Sequence, residues 1–414
     1  MKKLIAISMI SLAAVASAEV MDRPQGIKIG TRMTLRPYVS LSYTYDTNMR
    51  SQSEHEIKSG SWTISPNLAI SYNHENWGID GNVFYSYHAY EKSSANNNQN
   101  SYGESLSWHW ADSSLNEKGW SFMMMENYQQ ILEDDDMTSS GGHGYGRDRQ
   151  QFNFAASAER RITDRLHAGL NAGYYWLDYK NDSNKYAPLY GWSRWNVGAE
   201  VGYVLSRWTD IIVAGSYQNY DQDNDKNLAG NPGDVYKRNN LSSGSEGYTV
   251  QGGFQSRATE RISYRLLAGW SRFEYSNAGS DDGFTYTASG NWRHTDTLSS
   301  ALMASSYYQP SEKDFGSSQR VDQLSWGIQK SLVSSKLNAT FDVAYRRTER
   351  TYTVYARNTK PIEDIITARF GLNYTLNRFA AIYGNIEYST YKQSKGYGED
   401  YDRWRGTVGV RLSY

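Results

Sequence analysis

The last twelve residues of the chain, 403–414, read Arg-Trp-Arg-Gly-Thr-Val-Gly-Val-Arg-Leu-Ser-Tyr, with apolar and polar side chains in alternation. Trp404 and Val408 fall on one face of this stretch, and Arg411 falls on the other. Because successive side chains of a β-strand point to opposite faces, a period of two predicts a strand with one face in an apolar medium and one in water. Stretches of the same kind recur along the chain from Met33 onward, which predicts an all-β fold.

Two kinds of connection separate these predicted strands. Short turns place a Thr or Asn near a basic residue, as in Ile162-Thr163-Asp164-Arg165 and Leu376-Asn377-Arg378. Such side chains hydrogen-bond their own backbone in tight turns. Longer polar stretches, such as 91–101, fall between the short turns. Counting the segments predicts a closed antiparallel transmembrane β-barrel of about 18 strands, with short turns on the periplasmic side and long loops outside.

A soluble sandwich or propeller with an export signal is the alternative architecture. No blade-length motif repeats along the chain, which argues against a propeller. Closure of a barrel would also leave no strand edge unpaired in lipid. One predicted lipid-facing row carries no charge: Ile366, Ala368, Phe370, Leu372, Tyr374 and Leu376.

The N-terminal residues differ from the rest of the chain. Lys2 and Lys3 precede an apolar run that ends in the small residues Ala16-Ser17-Ala18. This pattern is typical of a secretory signal peptide, and the run is too short to span a bilayer. We therefore expect residues 1–18 to be a cleaved signal, 19–32 a periplasmic N-terminal segment and 33–414 the transmembrane barrel.

Composition narrows the class of protein. The 414 residues include 35 Tyr, 13 Trp and 35 Gly, and aromatic side chains are favoured at membrane interfaces. The chain has no Cys, which excludes a disulfide framework, a thiol nucleophile and a Cys-ligated metal. The formal net charge of −1 is not that of a nucleic-acid-binding protein.

With these features, the chain resembles an outer-membrane β-barrel of the porin type. The stretch from Leu35 to Asn48 is similar to the first strand of the "putative β-barrel porin 2" group, and so are the Thr-Asp/Glu-Arg turns followed by Gly-Tyr strands. The C-terminal Tyr414 resembles the assembly signal by which barrels are handed to the outer-membrane barrel assembly machinery. The resemblance implies a barrel in contact with outer-membrane lipid, without a catalytic motif.

Seven arginines fall on the polar face of the first strand or of the last four strands, which become neighbours when the barrel closes. They predict a pore-lining basic wall that favours anions, because inward residues set selectivity in wide barrels. The alternative is that they pair with inward Asp46, Asp342 and Glu387. The seven are Arg36, Arg346, Arg350, Arg369, Arg403, Arg405 and Arg411.

One long loop is strongly acidic. Glu133, Asp134, Asp135 and Asp136 precede a Gly-rich run, and in trimeric porins the third loop folds into the barrel to form an acidic constriction. The four residues are therefore a candidate constriction loop. The alternative is a loop exposed to solvent, or one that binds divalent cations at the outer surface. Among inward aromatic candidates, Tyr175 and Phe273 lie on distant strands, which favours packing over a continuous sugar-binding track.

The sequence thus predicts passive diffusion of small hydrophilic solutes through an outer-membrane porin-like channel, with no cofactor and no metal. A barrel with a structural role, or one associated with surface-polysaccharide export, is the alternative. A rim hydrolase would need a His near an Asp or Ser, and His88, His109 and His143 lie in no recognisable motif. A homotrimer is compatible with the sequence, because apolar interfaces between subunits would have the same residue pattern as a surface that faces lipid.

Overall fold

The computed structural model of the chain describes residues 26–49, 56–92, 99–111, 119–131, 149–179, 191–222, 244–275, 279–310, 318–332, 336–350, 361–394 and 400–414. Within these ranges the regular elements are antiparallel strands. No helix of the described residues is long and apolar enough to cross a membrane.

Nineteen strands form one sheet. Their bounds are β1 Ile27–Ile29, β2 Met33–Asp46, β3 Ser59–Asn73, β4 Trp77–Tyr90, β5 Gln99–Ala111, β6 Trp120–Ile131, β7 Arg149–Arg161, β8 Leu166–Tyr179, β9 Trp192–Val204, β10 Thr209–Gln222, β11 Gly244–Thr259, β12 Ile262–Tyr275, β13 Gly279–Arg293, β14 Leu298–Pro310, β15 Ser318–Leu332, β16 Leu337–Arg350, β17 Ile362–Asn377, β18 Ala380–Ser394 and β19 Tyr401–Ser413.

The sheet closes on itself. From β2 to β19, each strand pairs with the next along the chain, and β19 then pairs with β2 from Arg405–Asp46 to Ser413–Tyr38. All of these pairs are antiparallel. Closure matters because backbone groups that face lipid must find partners inside the protein. The predicted closed antiparallel barrel of about 18 strands is confirmed, with β1 as one additional short strand.

The short strand β1 pairs with the part of one β2 edge that β19 does not reach. β3 occupies one edge of β2 along its whole length, while β19 reaches only as far as Tyr38 on the other edge. β1 pairs with Met33–Leu35, just beyond that point. The reversal between β1 and β2 includes Gly30 at a φ of 64°, a conformation that glycine adopts without steric cost.

The predicted alternation of faces is confirmed along the barrel. Trp404, Val408 and Leu412 are exposed on the outer wall, and Arg403 is buried on the inner side. The charge-free row of β17 also faces outward, with Ile366, Phe370, Leu372, Tyr374 and Leu376 exposed.

Two strands with less regular patterns keep the faces that their sequences predict. Glu126 lies opposite Leu106 and Phe154 on the outer face, and Ala301 and Met303 face the lumen.

The short turns use the side chains that the sequence singled out. Thr163 Oγ1 accepts a hydrogen bond from the backbone N–H of Leu166 at 2.9 Å, and Thr259 Oγ1 accepts one from Arg261 at 3.1 Å. Asn377 Oδ1 likewise accepts the N–H of Phe379 at 2.8 Å. These bonds satisfy backbone donors that a tight turn would leave unpaired. Each such turn therefore joins two strands at one end of the barrel.

Gly253 allows a close approach of β11 and β12, because a Cβ at this position would overlap the carbonyl oxygen of Leu266. We predict that Gly253→Ala lowers the free energy of unfolding by about 1–3 kcal/mol, the usual cost of overpacking. The control is Gly252→Ala, where the nearest atom to a Cβ is the Ile212 carbonyl oxygen at 3.7 Å. Urea unfolding of the refolded barrel measures both, and equal effects of the two variants would contradict the prediction.

Candidate functional site: the inner face of the barrel

Small polar side chains line much of the inner wall and hydrogen-bond across neighbouring strands. Ser65 and Ser86 hydroxyls lie 2.6 Å apart between β3 and β4, and Thr249 and Ser271 hydroxyls lie 2.8 Å apart between β11 and β12. Ser271 and Thr285 continue the second row into β13 at 2.9 Å. Hydroxyl groups both donate and accept, so such rows satisfy one another and still offer lone pairs to water.

Five charged side chains stand directly opposite one another across the seam where the barrel closes. Register places Asp342 of β16 beside Arg369 of β17, Arg369 beside Glu387 of β18, Glu387 beside Arg405 of β19, and Arg405 beside Asp46 of β2. The signs alternate along this row, which we call the charged row. Opposite charges on directly facing residues stabilise neighbouring strands.

The ion pairs within and beside the charged row have short nitrogen-to-oxygen distances. Arg369 Nε donates to Glu387 at 2.8 Å, and Arg403 Nε donates to Asp46 at 2.7 Å. Arg405 Nε lies 3.5 Å from the same Asp46 carboxylate. The side chains of Arg403 and Asp46 are each only 2% exposed, so the pair is removed from water. A buried charge is costly unless it is paired, and Asp46 meets that requirement for Arg403.

The arginines predicted as a basic wall all lie on the inner faces of β2, β16, β17 and β19, but four of them pair with carboxylates. Besides Arg369, Arg403 and Arg405, Arg350 pairs with Glu363 in a buried contact that was not expected from the sequence. Pairing with Asp46 and Glu387 was the stated alternative to an open basic surface.

Arg36 and Arg411 differ from those four. Both lie on the lumen side near the short-turn end, on β2 and β19, and neither forms an ion pair with a carboxylate in the described part of the chain. Arg411 places its guanidinium 5.5 Å from the centre of the Tyr38 ring. Arg346 also faces the lumen, opposite Ile365. An effect of these side chains on ion preference stays a prediction.

A cluster of aromatic side chains fills the opposite part of the lumen near the long-loop end. Ring centres of Tyr175 and Trp192 lie 4.7 Å apart, those of Trp192 and Tyr220 5.7 Å, and those of Tyr220 and Phe273 5.3 Å. Leu177 and Tyr308 pack against the same group, which we call the aromatic cluster.

Tyr175 and Phe273 were expected to be separate, because they lie on distant strands. Trp192 and Tyr220, each inward on an intervening strand, join them. The guanidinium carbon of Arg194 lies 5.8–6.0 Å from the centres of the Tyr175, Trp192 and Tyr220 rings. The apolar surface of the cluster is therefore packed rather than open to water.

Other predicted site residues have different outcomes. The constriction-loop residues Glu133, Asp134, Asp135 and Asp136 lie outside the described residues. Tyr414 directly follows β19 and is exposed, and its N–H donates to the Pro37 carbonyl at 3.2 Å. Its role in assembly stays a prediction.

His88 is one of the histidines that a rim hydrolase would need. His88 hydrogen-bonds the hydroxyls of Thr63 and Ser101 at 3.1 and 3.2 Å. Its position is that of an inner-wall residue between two strands. Among the residues with assigned positions, no group of three His, Asp or Glu side chains is arranged to hold a metal ion.

Removal of the Asp46 carboxylate should expose the cost of burying Arg403. We predict that Asp46→Asn lowers the free energy of unfolding by about 3–5 kcal/mol, because an uncompensated charge stays buried. The matched control is Glu274→Gln, which removes one negative charge from an exposed pair with Arg272 and should cost about 0–1 kcal/mol. Urea unfolding of both refolded variants makes the comparison, and similar losses would contradict it.

Comparison with known proteins agrees with the architecture. Residues 232–414 match the family model described as "Putative beta-barrel porin 2". No curated protein matches the chain.

Among solved structures, the chain is similar to OccAB3 of Acinetobacter baumannii, with 9% identity over 92% of this chain and 99% of that chain, and a TM-score of 0.44. The outer membrane protein OpdK of Pseudomonas aeruginosa is 11% identical over 92% and 99% of the two chains, with a TM-score of 0.43. The ferric enterobactin receptor PfeA of Pseudomonas aeruginosa is 9% identical over 91% and 81%, with a TM-score of 0.41. The chain thus forms a closed antiparallel β-barrel, and its residues 232–414 match the "Putative beta-barrel porin 2" family model.

Proposed function

We propose that the protein is an outer-membrane channel through which small hydrophilic solutes diffuse passively. The observation that carries the proposal is the contrast between the two faces of one closed sheet. The outer face is apolar, as Val250 and Trp270 illustrate, whereas hydroxyls and charged side chains dominate the inner face of β2, β3 and β16 to β19. Polar side chains inside a wide barrel support a water-filled passage.

The charged row suits such a passage. Its three carboxylates balance its two guanidinium groups together with the neighbouring Arg403, so this wall carries no large net charge. Compensated pairs also leave the wall stable in contact with water, because a charge in a water-filled lumen costs little. The pairs therefore support a general diffusion channel more than a strongly anion-selective one.

We further propose that the channel weakly prefers anions to cations, and we assign this preference to Arg36 and Arg411. Both charges face the lumen near the short-turn end, and neither has a carboxylate partner among the residues that the structure describes. One positive charge in a high-dielectric channel attracts an anion at about 4 Å by roughly 1 kcal/mol. That energy raises the local anion concentration modestly.

A second candidate, a structural or polysaccharide-export barrel without free conductance, is favoured by a specific observation. The long-loop end of the lumen contains the packed aromatic cluster and the buried Arg350–Glu363 pair. Both reduce the open cross-section there. If the reduction were complete, the barrel would conduct only after a partner or a conformational change had cleared it.

Solute entry distinguishes the two candidates. Refolded residues 19–414 in liposomes that contain a large polysaccharide should swell when placed in isotonic solutions of small sugars or amino acids, because these solutes enter with water. The rate should fall as the solute becomes larger. Absence of swelling with correctly inserted protein would reject passive diffusion and favour the structural or export role.

The assignment of the anion preference is tested by reversal potential in a salt gradient. Arg36→Gln combined with Arg411→Gln should lower the anion-to-cation permeability ratio several-fold, because each removed charge attracts an anion by about 1 kcal/mol.

The control for this measurement removes a compensated pair. Arg369→Gln combined with Glu387→Gln leaves the lumen charge unchanged and should leave the ratio close to that of the unmodified protein. An unchanged ratio in the Arg36 and Arg411 variant would refute the assignment.

A further inference from the structure

We propose that the outer end of the β14–β15 hairpin, residues 307–310 and 318–321, is a gate that moves between a folded-in position and a position in the barrel wall. We call these residues the hairpin end. The proposal rests on the proposed channel function, and it adds a mechanism that controls the width of the passage.

The ladder between β13 and β14 is incomplete. Pairing runs from Arg293–Ser299 to Tyr286–Ser306 and stops there. β13 nevertheless continues to Gly279 in register with β12, and β14 continues to Pro310 in register with β15. Both strands are regular beyond the last pair, so they separate as intact strands.

The hairpin end lies on the lumen side of β13. Side chains at even positions of β14 face outward lower in the wall, where Leu302 stands opposite the exposed Trp326. Tyr308 has the same parity, yet its hydroxyl would lie 2.6 Å from a Cβ on the inward-facing Gly283. The outer face of β14 can meet the inner face of β13 only if β14 has moved beneath it.

A contact between β15 and β13 supports the same placement. The hydroxyl of Ser318 hydrogen-bonds Asp281, which faces the lumen opposite Phe273. Ser318 is 1% exposed and Val321 0%, although these residues have opposite facing directions on β15. The hairpin end is thus covered on both faces, unlike an ordinary segment of barrel wall.

The aromatic cluster holds the folded-in position. Tyr308 packs against the group that contains Phe273 and Tyr220, which belongs to β10 and β12 rather than to the neighbouring strand β13. Ring contacts of this kind add to the burial of apolar area. The aromatic cluster therefore stabilises the folded-in position, and Tyr308 is the residue of the cluster that moves with the hairpin end.

The position in the wall follows from the register already present. If pairing of β13 with β14 continued beyond Tyr286–Ser306, Phe284 would face Tyr308 and Asp282 would face Pro310. Tyr308 would then join Phe284 and Trp270 on the outer wall, where aromatic side chains are favoured. The movement exchanges ring packing inside the lumen for backbone hydrogen bonds in the wall, and the two contributions are of the same order.

Disulfide cross-links can trap each position, because the chain has no native Cys. Asp281→Cys with Ser318→Cys should lock the hairpin end inside, since these side chains are in contact. Asp282→Cys with Pro310→Cys should lock it in the wall, because facing residues of a ladder have the spacing that a disulfide needs.

The second pair cannot cross-link in the folded-in position. Asp282 lies on the outer face, where Trp270 Nε1 donates to it at 3.1 Å, while Pro310 is buried. The matched control is Ser305→Cys with Gln323→Cys, a hydrogen-bonded pair inside the intact β14–β15 ladder.

We expect all three pairs to cross-link under mild oxidation. In planar bilayers, the oxidised Asp281→Cys/Ser318→Cys variant should stay at a low conductance level. The oxidised Asp282→Cys/Pro310→Cys variant should stay at a several-fold higher level. Reduction of the disulfide should restore switching between the two levels in both variants. The control should switch whether oxidised or reduced. Tyr308→Leu, which weakens packing against the aromatic cluster without any cross-link, should favour the higher conductance level.

Two results would overturn the gate. One is failure of the Asp282–Pro310 pair to cross-link while the other two pairs react fully in folded protein, and the other is equal conductance of the two locked forms. Cross-linking of all pairs in a barrel that never conducts would instead reject passive diffusion and leave the two positions of the hairpin end established.

Discussion

Backbone hydrogen bonding in a medium without water is the constraint on which the rest of this structure depends. A sheet that crosses lipid has no solvent to satisfy its edge, so its first and last strands must meet. Here β19 meets β2, and side chains add to the ladder between them, since the hydroxyls of the facing residues Thr44 and Thr407 lie 3.0 Å apart. Asp46 joins the same two strands through Arg403, and β1 covers the part of β2 that β19 does not reach.

The lumen has two unlike walls. On β16 to β19 and β2, carboxylates and guanidinium groups alternate in register and compensate one another. On β8 to β12, aromatic side chains pack into a buried group at the long-loop end. The first wall is polar without a strong net charge. The second supplies an apolar surface for the β14–β15 hairpin, and in the proposed gate this packing would control the width of the passage.

The strand pattern could be predicted from sequence because face is a local property. Alternation assigned the correct side to Trp404 and Arg403, and even to the unusual Glu126, which faces outward. The short turns were predictable for the same reason, since Thr163 bonds backbone groups only a few residues away. In each case the residues that decide the outcome are neighbours in the chain.

The contents of the lumen were less predictable, because they depend on register between strands. Arg369 and Glu387 were both identified as inward, but their direct pairing follows from the offset of β17 against β18. Tyr175 and Phe273 appeared isolated until the intervening Trp192 and Tyr220 were placed between them. The sequence near Tyr308 does not show that the β13–β14 ladder ends early. Tyr308 follows the same alternation of apolar and polar residues as the strand residues that do lie in the barrel wall.

Single-channel recording of refolded residues 19–414 in a planar bilayer tests the central claim most directly. The account predicts stable steps whose size rises with bulk salt concentration, because ions cross a water-filled lumen lined by polar side chains. Barrels that resist heat and protease in the bilayer, yet pass no current at any salt concentration, would contradict a diffusion channel.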